Sequence, residues 1–362
     1  VELDTQAIYP SEDLLAGTVI AVQANFYRVR LDSNVTLLCT RPTRLKKIGQ
    51  KVLVGDRVLV KPSQGERGAI AEVFSRHNEL QRPPIANTEQ ILLVFALEEP
   101  SLDPVQLSRF LVQAESASLQ LLLALNKLDL ITEEQHKYWN LTINNWGYKP
   151  TLLSVENRQG IDELISKLQG KITILTGPSG VGKSSLISSL IPDIELRTGE
   201  VSGKLQKGRH TTRHVELYQL PGGGFIADSP GFNQPDFEFT PESLATYFPE
   251  VRLRLAQGSC RFNNCLHRDE PDCVVRGDWE RYPYYLKFLA EVIAYQEKLG
   301  KISNEESKVK YKVKGSGKSY VEPKLESKKY RQVSRRSKHQ QLDTLYENQS
   351  LHNLTNQDEF EN

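Results

Sequence analysis

The sequence predicts a multidomain chain: an all-β barrel, then an α/β domain, then a mainly helical domain, then a polar tail. Three observations carry this reading. Short apolar-alternating runs separated by turn residues fill the chain as far as Phe74. From Gln90 onward, fully apolar runs alternate with helical patterns, the rhythm of a parallel sheet covered on both faces. After Thr240 a helical pattern is interrupted by three cysteines and a histidine between Cys260 and Cys273.

With 362 residues the chain can form two or three domains, each with its own core. A formal net charge of +1 says nothing about partners. No basic start leads into an apolar segment, so no secretory signal is expected. Runs such as Leu119 to Leu125 are too short to cross a bilayer. Three of the four cysteines cluster beside a histidine, which favours metal binding in a reducing compartment over disulfides. The chain has no Met and begins at Val1, consistent with a trimmed start.

In the first region, strands are expected at Thr18–Val22, Phe26–Leu31, Val35–Cys39, Lys51–Val54, Arg57–Lys61 and Gly68–Phe74. Five or six short strands in this length suit an OB-like barrel. Arg28, Arg30, Arg41, Arg44, Lys46, Lys47 and Lys51, with Phe26 and Tyr27, would give it a basic, partly aromatic face suited to RNA. Cys39 reads as a small buried thiol. Arg76 to Asn87, with Pro83-Pro84, reads as a linker.

In the second region, Gln90–Ala96 is a strand. Asp103-Pro104 opens a helix to Ser118, with the acid before the first turn and proline at its start. Leu119–Leu125 is a buried strand. Thr132 and Gln135 have capping-box spacing, and a helix follows to Trp146. Thr151–Ser154 is a short strand and Ile161–Leu168 a helix. Ile172–Thr176 is a buried strand, followed by a glycine-rich loop and a helix through Ile191 that Pro192 stops. Gly199–Arg213 reads as a long mobile loop. His214–Leu220 and Phe225–Asp228 form a hairpin about Pro221-Gly222-Gly223-Gly224. Thr240-Pro241 opens a helical stretch, and a long helix runs from Tyr282 to Leu299. From Lys301 the chain reads as a disordered basic and polar tail. The domain spans are therefore 1–80, 81–240, 241–300 and 301–362.

The chemistry starts at Gly177-Pro178-Ser179-Gly180-Val181-Gly182-Lys183-Ser184-Ser185. A strand, a G-x-x-x-x-G-K-S loop and a helix in that order make a phosphate-binding loop. Its glycines let successive amides wrap an anion at a helix start. Lys183 would reach the β- and γ-phosphates, and Ser184 would ligate magnesium. Asn126-Lys127-Leu128-Asp129 selects the base. A carboxylate at Asp129 accepts both N1 and N2 hydrogens of guanine, whereas adenine would leave it unpaired. Asn126 can bond the base and brace the phosphate loop, and the Lys127 stem packs over the ring. Ser154-Val155 fits the loop whose amide meets guanine O6. Asp228-Ser229-Pro230-Gly231 fits a γ-phosphate switch, with Asp228 holding magnesium through water and the Gly231 amide on phosphate. Gly208-Arg209-His210-Thr211-Thr212 supplies a threonine for magnesium; Thr212 is preferred and Thr211 stays open.

The guanine motifs here precede the phosphate loop, which reverses the usual order. A sheet survives joining old termini and opening new ones in a surface loop. This order, with a β-barrel before it, a Cys/His cluster after it and the Gly-Arg-His-Thr-Thr loop, resembles the RsgA (YjeQ) family over residues 15–300. These are circularly permuted bacterial GTPases of small ribosomal subunit maturation. The resemblance implies a GTP hydrolase that binds the small subunit and its rRNA, acts in the cytoplasm without a membrane partner, and works as a monomer.

Cys260-x4-Cys265-x-His267-x5-Cys273 is a closed tetrahedral zinc set, one structural ion per chain. The region has few apolar residues for its length, so metal is expected to replace a missing core. The position after Gly231 is Phe232, where many GTPases place a glutamine that orients water. His210 is the candidate for that role, with Arg209 and Arg213 available for transition-state charge or rRNA phosphates. A P-loop kinase or ATPase would have no use for Asn126 to Asp129. A scaffold with negligible turnover would find support in Phe232.

Overall fold

The computed structural model describes residues 14–42, 49, 51–81, 83–191, 215–228, 237, 239–306, 309–313 and 319–323, with the backbone alone at Asp228 and beyond Leu299. Arg44, Lys46, Lys47, Arg209, His210, Thr211, Thr212, Arg213, Gly231 and Phe232 lie outside these residues.

Five strands close the first barrel: β1 (Leu15–Gln23), β2 (Phe26–Leu31), β3 (Thr36–Thr40), β4 (Arg57–Pro62) and β5 (Arg67–Val73). Their order is β1-β2-β3-β5-β4, with β1 paired to β4 and β3 parallel to β5. Alternation puts Val29, Leu31, Leu37, Val58, Val60 and Ile70 inside. Cys39 is fully buried there, and burial pushes its thiol up to about 11, as suits an inert core residue. Tyr27 is also inside, at 4% exposure, so it does not belong to the expected aromatic face; Phe26, one residue earlier, is outside.

Lys51–Val54 is not a strand. The Asp56 carboxylate takes the Leu53 amide at 2.7 Å, and the chain turns at Gly55, whose φ is +88°. A Cβ at Gly55 would stand 2.1 Å from the Ala86 carbonyl. Nor is Arg76 to Asn87 a loose linker. It forms a hairpin, β6 (Glu79–Gln81) with β7 (Pro84–Ala86), fastened to the barrel. The Arg76 guanidinium forks onto the buried Asp56 carboxylate at 2.7 and 2.9 Å, and the Ala86 amide donates to the Val54 carbonyl at 2.8 Å. A paired, desolvated carboxylate of this kind fixes geometry, because either partner alone would be buried uncompensated.

The α/β domain has a six-stranded sheet in the order β10-β9-β8-β11-β13-β12. The strands are β8 (Gln90–Ala96), β9 (Gln120–Asn126), β10 (Thr151–Leu152), β11 (Ile172–Thr176), β12 (Leu217–Gln219) and β13 (Phe225–Asp228). All neighbours are parallel except β12 and β13. β8 and β11 are buried at every position, which explains their unbroken apolar sequence. The helices are α1 (Pro104–Ser116), α2 (Glu133–Asn145), α3 (Ile161–Leu168) and α4 (Lys183–Leu190). Asp103 caps α1 through the Val105 amide, and Thr132 with Gln135 forms the reciprocal capping box of α2. The chain leaves β8 toward β9 on one side, and later fills β11 and β13 on the other. The order thus reverses between β8 and β11, where α/β sheets bind ligands beyond their strand ends.

The helical region comprises α5 (Pro241–Leu244), α6 (Pro249–Gln257), the cysteine loop and α7 (Tyr282–Glu306). Contrary to expectation it has a real core. Phe248, Trp279, Tyr285 and Phe288 are buried, and Phe248 meets Trp279 and Tyr285 edge-on with centroids 5.5 Å apart. The aromatics fall in two groups, Phe237 to Phe248 and Trp279 to Phe288, on either side of the cysteine loop, and their large rings fill the core that few aliphatic residues supply. Arg281 is fully buried among these rings and forks onto Glu250. Within the stretch read as a disordered tail, β14 (Val309–Val313) pairs antiparallel with β15 (Ser319–Pro323). Valine and tyrosine alternate with lysine in β14, a period of two concealed by the charge count.

Candidate guanine-nucleotide and metal sites

The phosphate loop joins β11 to α4 at the sheet's carboxyl edge. Gly177 adopts φ +147°, and a Cβ there would lie 2.0 Å from the Val94 carbonyl of β8. Gly182 adopts φ +93° as the residue before α4, and a Cβ there would meet Asn126 Nδ2 at 2.4 Å. Only glycine lets the loop pass this close to β8 and β9. Lys183 Nζ donates to the Gly177 and Pro178 carbonyls at 2.8 and 2.6 Å, so its charge lies at the loop. Ser184 and Ser185 follow in the first turn and are exposed, within reach of a bound ligand.

Asn126 ends β9 and is 2% exposed. Its Nδ2 donates to the Val181 carbonyl at 2.9 Å, and its Oδ1 accepts from the Val155 amide at 3.4 Å. One amide side chain therefore ties the phosphate loop to the Ser154-Val155 loop. Lys127 takes the left-handed conformation, φ +63°, and its Nζ donates to the Glu99 carbonyl. The Leu128 amide donates to the Leu153 carbonyl at 3.1 Å. Asp129 accepts a hydrogen bond from the Ser154 hydroxyl, which itself accepts from the Asn157 amide at 3.1 Å. Asp129 is thus oriented by a buried serine held in turn by backbone. Asn126, Lys127, Leu128, Asp129, Ser154, Val155 and Gly177 to Ser185 form one continuous edge.

The backbone of Asp228 pairs with Leu175 at the end of β13, beside the phosphate loop. The remaining switch candidates, Gly231, His210 and Thr212, lie outside the described residues. Glu99 was not a candidate from sequence. Its signal was the Glu98-Glu99-Pro100 turn directly after β8, at the edge where the other loops gather.

The second constellation is Cys260, Cys265, His267 and Cys273, whose ligand atoms lie within 4.8 Å of one another. Cys260 Sγ stands 3.6 Å from His267 Nδ1 and 3.8 Å from Cys273 Sγ, and His267 Nδ1 stands 3.4 Å from Cys273 Sγ. A tetrahedral zinc with bonds of about 2.3 Å to sulfur and about 2.0 Å to nitrogen sets its ligands roughly 3.4 to 3.8 Å apart. Burial lowers the His267 pKa and favours the neutral ring a metal requires. The Arg276 amide donates to Cys273 Sγ at 3.3 Å, and the Tyr282 and Tyr285 hydroxyls hold the His267 and Leu266 carbonyls. Among the described residues this is the one Cys/His cluster, and its donor set fits zinc.

The RsgA GTPase family model matches residues 73–238. A relative from Trichormus variabilis, described as small ribosomal subunit biogenesis GTPase RsgA, is 58% identical, covering 92% of this chain and 97% of its own. Among solved structures, YjeQ from Thermotoga maritima is 30% identical with a TM-score of 0.66, covering 77% of this chain and 99% of its own. YloQ, described as a circularly permuted GTPase, is 31% identical with the same TM-score, covering 80% and 98%.

Proposed function

The chain belongs to the RsgA GTPase family, and from that premise we propose how its residues carry the activity. It is a GTP hydrolase of small ribosomal subunit biogenesis. The observation that carries the site assignment is Asn126, whose single side chain joins the phosphate loop to the base-binding loops. Asp129 reads guanine N1 and N2, and the Val155 amide reads O6. The amides of Gly180 to Ser185 and the ammonium of Lys183 hold the phosphates. Ser184, Thr212 and, through water, Asp228 would hold magnesium, which would supply positive charge against the nucleotide's phosphates. Gly231 senses the γ-phosphate. His210 orients the attacking water, since Phe232 has no group to do so.

Cys260, Cys265, His267 and Cys273 would hold one zinc in a structural role, since four protein ligands would leave no open position for chemistry. The working spans are a barrel that includes its hairpin as far as Asn87, a nucleotide domain to residue 240, a zinc domain to residue 300, and a basic tail. The protein binds the immature subunit through rRNA as a monomer. It acts in the cytoplasm, where that subunit matures and thiols stay reduced. No helix among the described residues is long and apolar enough to cross a membrane.

The test is GTP turnover with and without small subunits, together with co-sedimentation in GDP and in a non-hydrolysable GTP analogue. The expected result is slow turnover alone, strong stimulation by subunits, and tighter binding with the analogue, because coupling of two ligands is reciprocal. His210→Ala should lose the stimulated turnover and keep analogue-dependent binding. Full stimulation of that variant would remove His210 from the mechanism.

A further inference from the structure

Arg28 and Arg30, the barrel arginines that the sequence offers to RNA, are engaged inside the molecule. Arg28 donates to the Glu216 carboxylate at 2.6 Å, and Arg30 Nε to the Gln219 side-chain carbonyl at 2.5 Å. The Gln219 amide returns a bond to Asn34 of the barrel at 2.9 Å. Glu216 also forms a backbone bridge to Ala21 of β1. Beneath these polar contacts Ile20 of the barrel packs with Val215 and Leu217. The barrel is therefore seated on β12, the strand that leads through β13 to Asp228.

The two layers of this contact differ in strength. The apolar seam is buried. The Arg28–Glu216 pair is open to water, with side-chain exposures of 52% and 38%. A pair so exposed contributes little and is readily exchanged for another anion. A phosphate diester offers the same planar donor an equivalent charge-assisted partner, and an RNA strand presents many such charges at once.

We propose that Glu216 is an internal competitor for RNA: its carboxylate occupies the Arg28 guanidinium that an RNA phosphate takes when the barrel binds. Engagement of RNA then frees the Glu216 carboxylate, while its backbone bridge to Ala21 and the Ile20–Val215–Leu217 seam keep the domains together. RNA contact is thereby registered at the strand that feeds the Asp228 switch. Arg28 is the residue that touches phosphate, and Glu216 acts through it. This rests on the subunit-binding function proposed above.

The test uses full-length protein, purified small subunits and a GTP analogue, with affinity measured across a salt series. Glu216→Gln should tighten binding, by roughly two- to fivefold for an exposed pair of this kind. Arg28→Gln should weaken it and flatten the log–log salt slope by about one. The double variant should match Arg28→Gln, because Glu216 has nothing to compete for once Arg28 is gone. Far-ultraviolet circular dichroism and thermal melting, unchanged in all three, verify folding. Tightening by Glu216→Gln of equal size in both backgrounds would mean simple removal of a negative charge, and would overturn the proposal. No effect of Arg28→Gln, or none of Glu216→Gln, would overturn it also. Failure of the unmodified protein to bind subunits at all would instead defeat the proposed function.

Discussion

At the residue scale, two buried polar side chains decide more than their size suggests. Asn126 satisfies two loops with one amide, so the phosphate loop and the Ser154-Val155 loop are held by one side chain. Asp129 is aimed by Ser154, which makes its chemistry testable on its own. Asp129→Asn replaces an acceptor by a donor opposite the guanine 2-amino group, while the amide oxygen still accepts N1–H. It should lose GTP affinity and gain affinity for XTP, whose N1–C2 edge is complementary; a direct competition titration measures both. Arg281 is the other case. It is fully buried, forked onto Glu250, with the Trp146 and Phe248 rings each centred 4.9 Å from its guanidinium carbon. Arg281→Met should leave Glu250 an uncompensated buried charge and destabilise the protein by roughly 3–5 kcal/mol. Adding Glu250→Gln should recover part of that loss. Denaturant unfolding followed at the tryptophans reads both outcomes.

At the element scale, the phosphate loop works because β8 lies directly beneath it. Gly177→Ala would force a methyl group against the Val94 carbonyl in a backbone conformation that L-residues avoid. Titration with fluorescent GDP should show binding weakened by at least about tenfold, the effect of roughly 1.4 kcal/mol. The barrel, which makes none of these contacts, should melt as before. Helix α2 has a second role. It begins just after the base loop and ends at Trp146, whose indole nitrogen donates to Glu280 at 3.0 Å in the helical domain. One end of that helix therefore lies beside Asn126 to Asp129 and the other end meets the region of the cysteine cluster.

At the scale of the whole molecule, the helical domain is held to the nucleotide domain by more than the cysteine loop. Arg109 of α1 pairs with Glu291 of α7 at 2.6 Å and lies over the Phe237 and Phe288 rings. Arg252 of α6 pairs with Glu115 at 3.0 Å. Metal removal should therefore be a local event. Elemental analysis should find about one zinc per chain, as a closed four-ligand site requires. Chelation should open the segment from Cys260 to Cys273 to proteolysis, while the near-ultraviolet signal of buried Trp279 persists. Loss of that signal together with the loop would mean that the metal, rather than the aromatic core, holds the domain.

The sequence by itself determined the order of the domains, the strand, loop and helix of the phosphate loop, and the grouping of Cys260, Cys265, His267 and Cys273. Each of these depends on short-range spacing: a loop between a strand and a helix, thiols a few residues apart. The period-two barrel and the capped helices of the α/β domain were legible for the same reason. Tertiary structure alone decided what depends on distant partners. Asp56 captures Leu53 and Arg76, turning an expected strand into a bend and an expected linker into a docked hairpin. Arg28 and Arg30 face Glu216 and Gln219 almost two hundred positions away, and so are not simply a free RNA surface. Arg281 and two aromatic groups on either side of the cysteine loop meet in a core that neither segment forms alone. A charge or a ring has no fixed role in a sequence. Its role is set by which partner removes it from water, and that is settled only when the chain has folded.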